Sequence, residues 1–386
     1  MILFGIDILL KTNVDWKKQR IALVTNHAAT TNTFIPSRKA LIDKGFNIIK
    51  LFSPEHGLDI KGADGASMND GVDVLTQLPI ISLYNKKLQP DENDLNDVDI
   101  VLFDIPDIGC RYYTYLWTMT HVLEACSKYN KKLIILDRPN PLSGNINLAE
   151  GAMLNEINCS SFIGRWNIPL RHSCTLGELA LYFNQQKNIH TNIEIIKCES
   201  WDRNMFQTDW EMAFVPTSPA MQNFTAAMLY PGLGLLEATN ISEGRGTLKP
   251  FTVAGSVWMN NNLVVENLNE LNINCKAIQF TPTESKYANE LCKGVEFYID
   301  DVATFQSVKN GLLFIKLVKE LHEDKFEWKP YPTNVNSSGK NHLDKLLGVY
   351  KSEKLFDLSF NKFTQKINEI TNVSFWEETI KNYLLY

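Results

Sequence analysis

A glutamate and a histidine stand side by side between a proline and a glycine in Ser53-Pro54-Glu55-His56-Gly57. A carboxyl and an imidazole can move protons in either direction, and Pro54 and Gly57 fix the loop that carries them. Three other segments carry a similar mixture. Asn26-His27 ends one apolar run. Asp104-Ile105-Pro106-Asp107 ends a second and leads into Gly109-Cys110-Arg111-Tyr112-Tyr113. Asp137-Arg138-Pro139-Asn140-Pro141 ends a third. Between them they offer carboxylates for acid–base work, guanidinium groups for anions and aromatic rings for flat ligand faces.

The elements that must position these residues are legible in the hydrophobic pattern. Short β-rich runs at 20–25, 47–52, 99–103 and 132–136 each stop where one of the four clusters begins. Helix-like stretches, such as 36–44 and 115–129, alternate with them. That alternation implies βαβ units and a parallel sheet buried on both faces. All four clusters then fall on one rim, past the carboxyl ends of the strands, where open α/β sheets bind ligands. Mixed Glu, His, Asp, Arg and Tyr at every strand end exceeds what ordinary surface loops need.

Thr175 and Glu178 form a capping box that opens the apolar run 179–183, which removes Glu178 from the catalytic candidates. Alternation at 193–198 gives one more strand. Pro216-Thr217-Ser218-Pro219 reads as a linker, which divides the chain into 1–218, a Rossmann-like domain, and 219–386, a smaller α+β domain. The second part is expected to hold strands near 277–281 and 294–300 and helices near 304–323 and 353–369. Lys329 to Lys340, with two prolines and several Asn and Ser, is expected to be an exposed loop. A second polar cluster runs from Tyr230 to Thr247. In it Glu237, Asn240, Glu243 and Arg245 could grip a sugar or a carboxylate, or could simply close a glycine turn with an ion pair.

Composition narrows the function. The 386 residues suffice for two ordinary domains, and 44% hydrophobic with 21% charged residues suits a globular chain. With 38 basic and 44 acidic residues the net charge is −6, so no electrostatic footprint for nucleic acid exists. No apolar run approaches the roughly 18 residues of a membrane span. Met1 to Asp7 lacks a basic leader, which predicts a cytoplasmic chain, or a periplasmic or secreted one if a leader has been trimmed. Seven scattered cysteines without a CxxC pair predict reduced, structural thiols. No GxGxxG or GxxxxGK[ST] loop accompanies Gly232 and Gly234, so no nucleotide cofactor is expected.

The ordered motifs resemble one bacterial family. They are Ser-Pro-Glu-His-Gly at 53–57, Phe103 to Gly109 with Arg111 to Tyr115, Leu136 to Pro141, Glu150-Gly151, Arg171-His172, Thr175 to Ala180, Tyr230-Pro231-Gly232 and Ser242 to Thr247. The set is similar to the exo-lytic β-N-acetylmuramidases, long labelled only as a domain of unknown function. The resemblance implies a Rossmann-like domain, a smaller C-terminal domain and a cleft between them. It also implies removal of terminal N-acetylmuramic acid from the non-reducing end of peptidoglycan fragments, with no cofactor. Two stretches depart from the family pattern: Pro219-Ala220-Met221-Gln222 is less proline-rich, and in Asp59-Ile60-Lys61-Gly62 the basic residue comes later than usual.

Glycoside hydrolysis needs a protonated acid for the leaving oxygen and a second group that attacks the sugar or activates water. Glu55 is the first choice, with His56 to orient it or to bind the acetamido group. The second carboxylate is open between Asp104 and Asp107 on the neighbouring strand end and Glu237 and Glu243 from the other domain. The sugar's own N-acetyl oxygen is a further possibility. A lactyl carboxylate calls for a cation, and Arg111, Arg138, Arg171 and Arg245 are the candidates. Tyr112 and Tyr113, or Trp166, would stack on the sugar, while His27, Asn140, His172 and Asn240 complete the expected binding set. Asp137 is expected to brace its loop by pairing with Arg138. Two rival classes are a metal hydrolase built on His27, His56, Asp104 and Asp107, and a binding module that keeps the groove but does not need Glu55.

Overall fold

The computed structural model describes residues 1–386. Seven strands form the main sheet: β1 Ile21–Thr25, β2 Ile48–Ser53, β3 Gly71–Val72, β4 Pro79–Ser82, β5 Ile100–Asp104, β6 Lys132–Leu136 and β7 Ile193–Ile196. Their order is β3-β4-β2-β1-β5-β6-β7, and every pairing is parallel except β3 with β4. β1 and β5 are buried along their whole length, as a sheet covered by helices on both faces requires. The chain moves outward from β1 through β2 to β4, then returns to β5 on the other side of β1. That reversal opens a crevice at the carboxyl ends of the central strands. Helices Ser37–Asp43 and Tyr115–Lys128 supply two of the crossovers. The helix Leu176–Gln186 starts at the capping box expected of Thr175 and Glu178.

The second part holds a three-stranded antiparallel sheet, β8 Val253–Ser256, β9 Cys275–Phe280 and β10 Cys292–Phe297, in the order β8-β10-β9. The helix Ser307–Leu321 packs beside it against the helix Phe224–Leu233. The expected helix at 353–369 is two elements, a 3-10 turn Ser352–Asp357 and a helix Phe360–Thr371. The ladder breaks because Lys316 Nζ donates to the carbonyls of Phe356 and Leu358, at 3.0 and 2.6 Å.

One hydrophobic core of 70 residues runs from Trp117 and Phe183 beneath the large sheet to Leu236, Phe314 and Trp376 in the second part. A smaller cluster, with Trp16, Phe46, Leu51 and Leu102, covers the opposite face of the sheet. The linker expected at 216–219 is itself pinned. Thr217 is buried, its hydroxyl meets the Tyr113 phenol at 2.5 Å and its carbonyl accepts from Tyr115 at 2.6 Å. No helix is long and apolar enough to cross a membrane.

Candidate active site

β2 delivers Ser53 to the sheet rim, where Pro54 ends the strand and the Gly57 amide closes a turn onto the Pro54 carbonyl at 3.1 Å. Inside this turn Glu55 and His56 are each 5 % exposed. His56 adopts φ = +65°, in the left-handed region that few residues other than glycine enter. Two bonds to Gly62 hold it there. The Gly62 amide donates to the His56 carbonyl at 3.0 Å, and His56 Nδ1 lies 2.8 Å from the Gly62 carbonyl. A carbonyl only accepts, so Nδ1 carries a proton and leaves Nε2 as the free ring position.

The loop then brings back a second carboxylate, Asp64. One oxygen from each of Glu55 and Asp64 and one nitrogen of His56 lie within 4.8 Å of one another. The two carboxyls are pushed in opposite directions. Burial raises Glu55 above the ordinary glutamate value, and Asp64 adds to the rise. His56, the Thr114 hydroxyl and the Gly65 amide, 2.9 Å from Oε1, offset only part of it. Partial desolvation in the cleft also pushes Asp64 up, although its side chain keeps 28% exposure. The Arg245 guanidinium, His56 and a 2.5 Å hydrogen bond from the Tyr331 phenol outweigh that and hold it below the ordinary value. Glu55 is shifted toward its protonated form and its neighbour toward the ionised one, the asymmetry that an acid and a base need.

The opposite wall comes from the second part of the chain. Gly244 and Gly246, at φ = +79° and +77°, turn the backbone on either side of Arg245 as few other residues could. The guanidinium lies 2.7 Å from Glu237, 3.4 Å from Asp64 and 3.3 Å from Glu243, and Lys286 Nζ meets the far side of Glu243 at 2.9 Å. His342 Nε2 is 3.4 Å from the other Glu237 oxygen, and its ring stacks on Tyr331 with centroids 4.8 Å apart. Tyr84, Tyr112, Tyr113, Tyr230 and Phe251 close the inner end. The Tyr112 phenol is spent on the Tyr230 carbonyl at 2.5 Å, so its ring rather than its hydroxyl is available to a ligand. This narrow pocket shares His56, Asp64, Arg245 and Tyr331 with a wider cleft of about 780 Å³ that continues outward past Lys61, Gln222 and Thr283.

Two family models match the chain, the N-terminal part of the exo-β-N-acetylmuramidase NamZ over residues 21–225 and its C-terminal part over 228–386. The chain belongs to the NamZ family. It is 40% identical over 332 residues to the peptidoglycan β-N-acetylmuramidase NamZ of Bacillus subtilis, covering 84% of this chain and 79% of that protein. It is also similar to crystal structures of two DUF1343 family proteins from Bacteroides fragilis. One has a TM-score of 0.87 at 27% identity and the other 0.76 at 26%, each covering 100% of this chain and 99% of that one.

Of the residues expected from sequence, the pocket of this NamZ-family chain gathers Glu55, His56, Tyr112, Tyr113, Glu237 and Arg245, with Glu243 buried behind Arg245. The others lie elsewhere. Asp104 is fully buried in a two-pronged pair with Arg138, at 2.6 and 3.0 Å. Arg138 therefore braces Asp104 rather than the expected Asp137, which instead accepts from Thr175, the Gly177 amide and Tyr386. Arg111 donates to the carbonyls of Ala152, Ile168 and Leu346, and Arg171 to that of Leu142. Asn140 and Asn240 also bond backbone, at Cys174 and Lys325. Asp107 caps the Gly109 amide and faces the buried His172 at 3.4 Å. His27 is exposed, and Trp166 stacks among Trp117, Phe183 and Arg165.

The expected metal quartet does not converge, since Asp104 is committed to Arg138. The donors close enough to hold an ion are Glu55, His56 and Asp64, and Asp64 already serves Tyr331 and Arg245. Asp64, Tyr84, Tyr331 and His342 escaped the sequence reading. Tyr84 had a signal, because it follows β4 as the other clusters follow their strands. Tyr331 lies in the segment expected to be a solvated loop. That segment is tied down instead, through Tyr331 to Asp64 and from the Asn334 amide to the Gly65 carbonyl at 2.8 Å.

Proposed function

We propose that this NamZ-family glycosidase removes a non-reducing terminal N-acetylmuramic acid from peptidoglycan fragments, with Glu55 as general acid and Asp64 as the second carboxylate. The observation that carries this reading is the pair itself: oxygens within 4.8 Å, one carboxyl raised and the other lowered. Carboxylates about 5–5.5 Å apart leave no room for a water between them and act by retention. In the first step Glu55 gives its proton to the glycosidic oxygen while an Asp64 oxygen bonds to C1, and the shortened saccharide departs. In the second, the Glu55 carboxylate takes a proton from water, the water oxygen bonds to C1, and Asp64 is released.

Tyr331 and Arg245 keep Asp64 ionised and oriented for that attack. The inner end, closed by buried Tyr112, Tyr113 and Tyr230, admits a chain end and not the middle of a glycan, which fits exo action. All seven cysteines are buried and unpaired, and fractionation of cells would decide between a cytoplasmic chain and a trimmed, exported one.

The activity is tested with a chromogenic β-N-acetylmuramic acid glycoside beside the matching N-acetylglucosamine glycoside. Release from the first alone supports the reading. Release from neither, with the muramic ligand still bound, turns it into a binding module. Proton NMR of the first-formed sugar tests the mechanism: β product supports an Asp64 nucleophile or anchimeric help from the acetamido group, and α product removes both. Turnover by Asp64→Asn at the wild-type rate would leave only the acetamido route.

A further inference from the structure

A terminal muramic acid differs from glucosamine by one anionic group, the lactyl carboxylate, and the pocket has few places to put it. Around the inner pocket the lysine and arginine that face Asp64, Glu237 and Glu243 are Lys286 and Arg245, beside the imidazoles of His56 and His342, and both of those cations are already paired. A further anion there would meet carboxylates on every side. The three other arginines expected to take it, Arg111, Arg138 and Arg171, are buried on internal partners.

The outer cleft offers Lys61. It lines the same wall as His56 and Asp64 and is exposed. It enters no ion pair, and its only polar tie is its backbone amide to Asp59 at 3.2 Å. Its backbone is also fixed. The two bonds between His56 and Gly62 close residues 56–62 into a ring, and Lys61 stands immediately before the Gly62 knot. The only acidic side chain on the cleft beyond the pocket is Glu284, carried by the segment Thr281–Ser285 of the second part of the chain. An exposed ammonium on the wall of the cleft that continues from the pocket, in no ion pair of its own, is a receptor for a ligand's carboxylate.

We propose that Lys61 Nζ binds the lactyl carboxylate of the terminal sugar and so sets the preference for muramic acid over glucosamine. This rests on the glycosidase reading of the same site. The experiment compares wild type, Lys61→Met and Lys61→Arg on the 4-nitrophenyl glycosides of N-acetylmuramic acid, its lactyl amide and N-acetylglucosamine. Lys61 is exposed, so the variants fold. Wild type is expected to favour the acid over the amide by about 10- to 100-fold in kcat/KM. Lys61→Met should lose about that factor on the acid, mainly through KM, and stay within twofold on the amide, while Lys61→Arg keeps most of it. An undiminished acid preference in Lys61→Met, or no preference in wild type, overturns the assignment and leaves the glycosidase standing. Wild type that cleaves none of the three overturns the glycosidase reading as well.

Discussion

Glu55 sits where burial favours its protonated form, and Asp64 sits beside it where Arg245 and Tyr331 favour the charged one. The rate therefore falls as pH rises through the raised Glu55 value, and falls on the acid side only below the ordinary aspartate range. Tyr331→Phe removes a hydrogen bond that favours the charged form of Asp64. It should move the acid limb upward and lower kcat by about tenfold, measured as a pH–rate profile. Arg111 gives the contrasting case. Its guanidinium joins carbonyls of Ala152, Ile168 and Leu346, so Arg111→Met strands buried acceptors. The expected outcome is a loss of roughly 3 kcal/mol in urea unfolding, with KM for the muramic substrate unchanged in the surviving protein. At this scale the sequence shows Glu55, His56 and Arg245 because a turn or flanking glycines advertise them. It hides Asp64 and His342, whose roles depend on contacts made across the fold, with Arg245 and Tyr331 for the first and Glu237 for the second. It also overstates the arginines, because residue type alone does not tell a guanidinium holding carbonyls from one awaiting a ligand.

Elements carry the site through their ends. Strands β1, β2, β5 and β6 fall where the apolar runs place them, and each delivers polar residues to one rim, but of these four only the loops after β2 and β5 open onto the pocket, the first with Glu55 and His56 and the second with Tyr112 and Tyr113. The polar ends of β5 and β6 are consumed in bracing, Asp104 against Arg138 and Asp137 against the helix start at Thr175. Asp137 makes that bracing measurable. Burial lifts its carboxyl to about 6, while Thr175, Gly177 and Tyr386 pull the other way. A carboxyl raised on folding binds more protons folded than unfolded between about pH 4 and 6. Stability from this group is therefore full at the acid end and lost as pH rises through that window. Asp137→Asn should flatten that part of the stability–pH curve, followed by thermal unfolding. The Gly244 turn tests the opposite wall. A Cβ there would lie 2.7 Å from Val253 Cγ2 in a left-handed conformation, so Gly244→Ala should cost about 1–3 kcal/mol and displace Arg245. Its kcat/KM should fall by at least tenfold.

The whole molecule makes a site that neither part holds alone. Glu55, His56 and Asp64 come from the sheet side, and Glu237, Arg245, Tyr331 and His342 from the rest, across a core shared by both. A shared core predicts one cooperative unfolding transition in calorimetry, with calorimetric and van't Hoff enthalpies in agreement. The sequence conveys two regions of different pattern. It does not convey that their cores fuse, because hydrophobic periodicity shows which face is buried and not against what. The central claim is that Glu55 protonates the leaving sugar. Its most direct test is kcat/KM of wild type and Glu55→Gln on the disaccharide N-acetylmuramyl-N-acetylglucosamine, whose leaving alcohol needs a proton, and on the nitrophenyl glycoside, whose leaving group needs little. The expected result is a loss of about 10³-fold or more on the disaccharide and a much smaller one on the nitrophenyl substrate. Disaccharide turnover by Glu55→Gln within tenfold of wild type would contradict it.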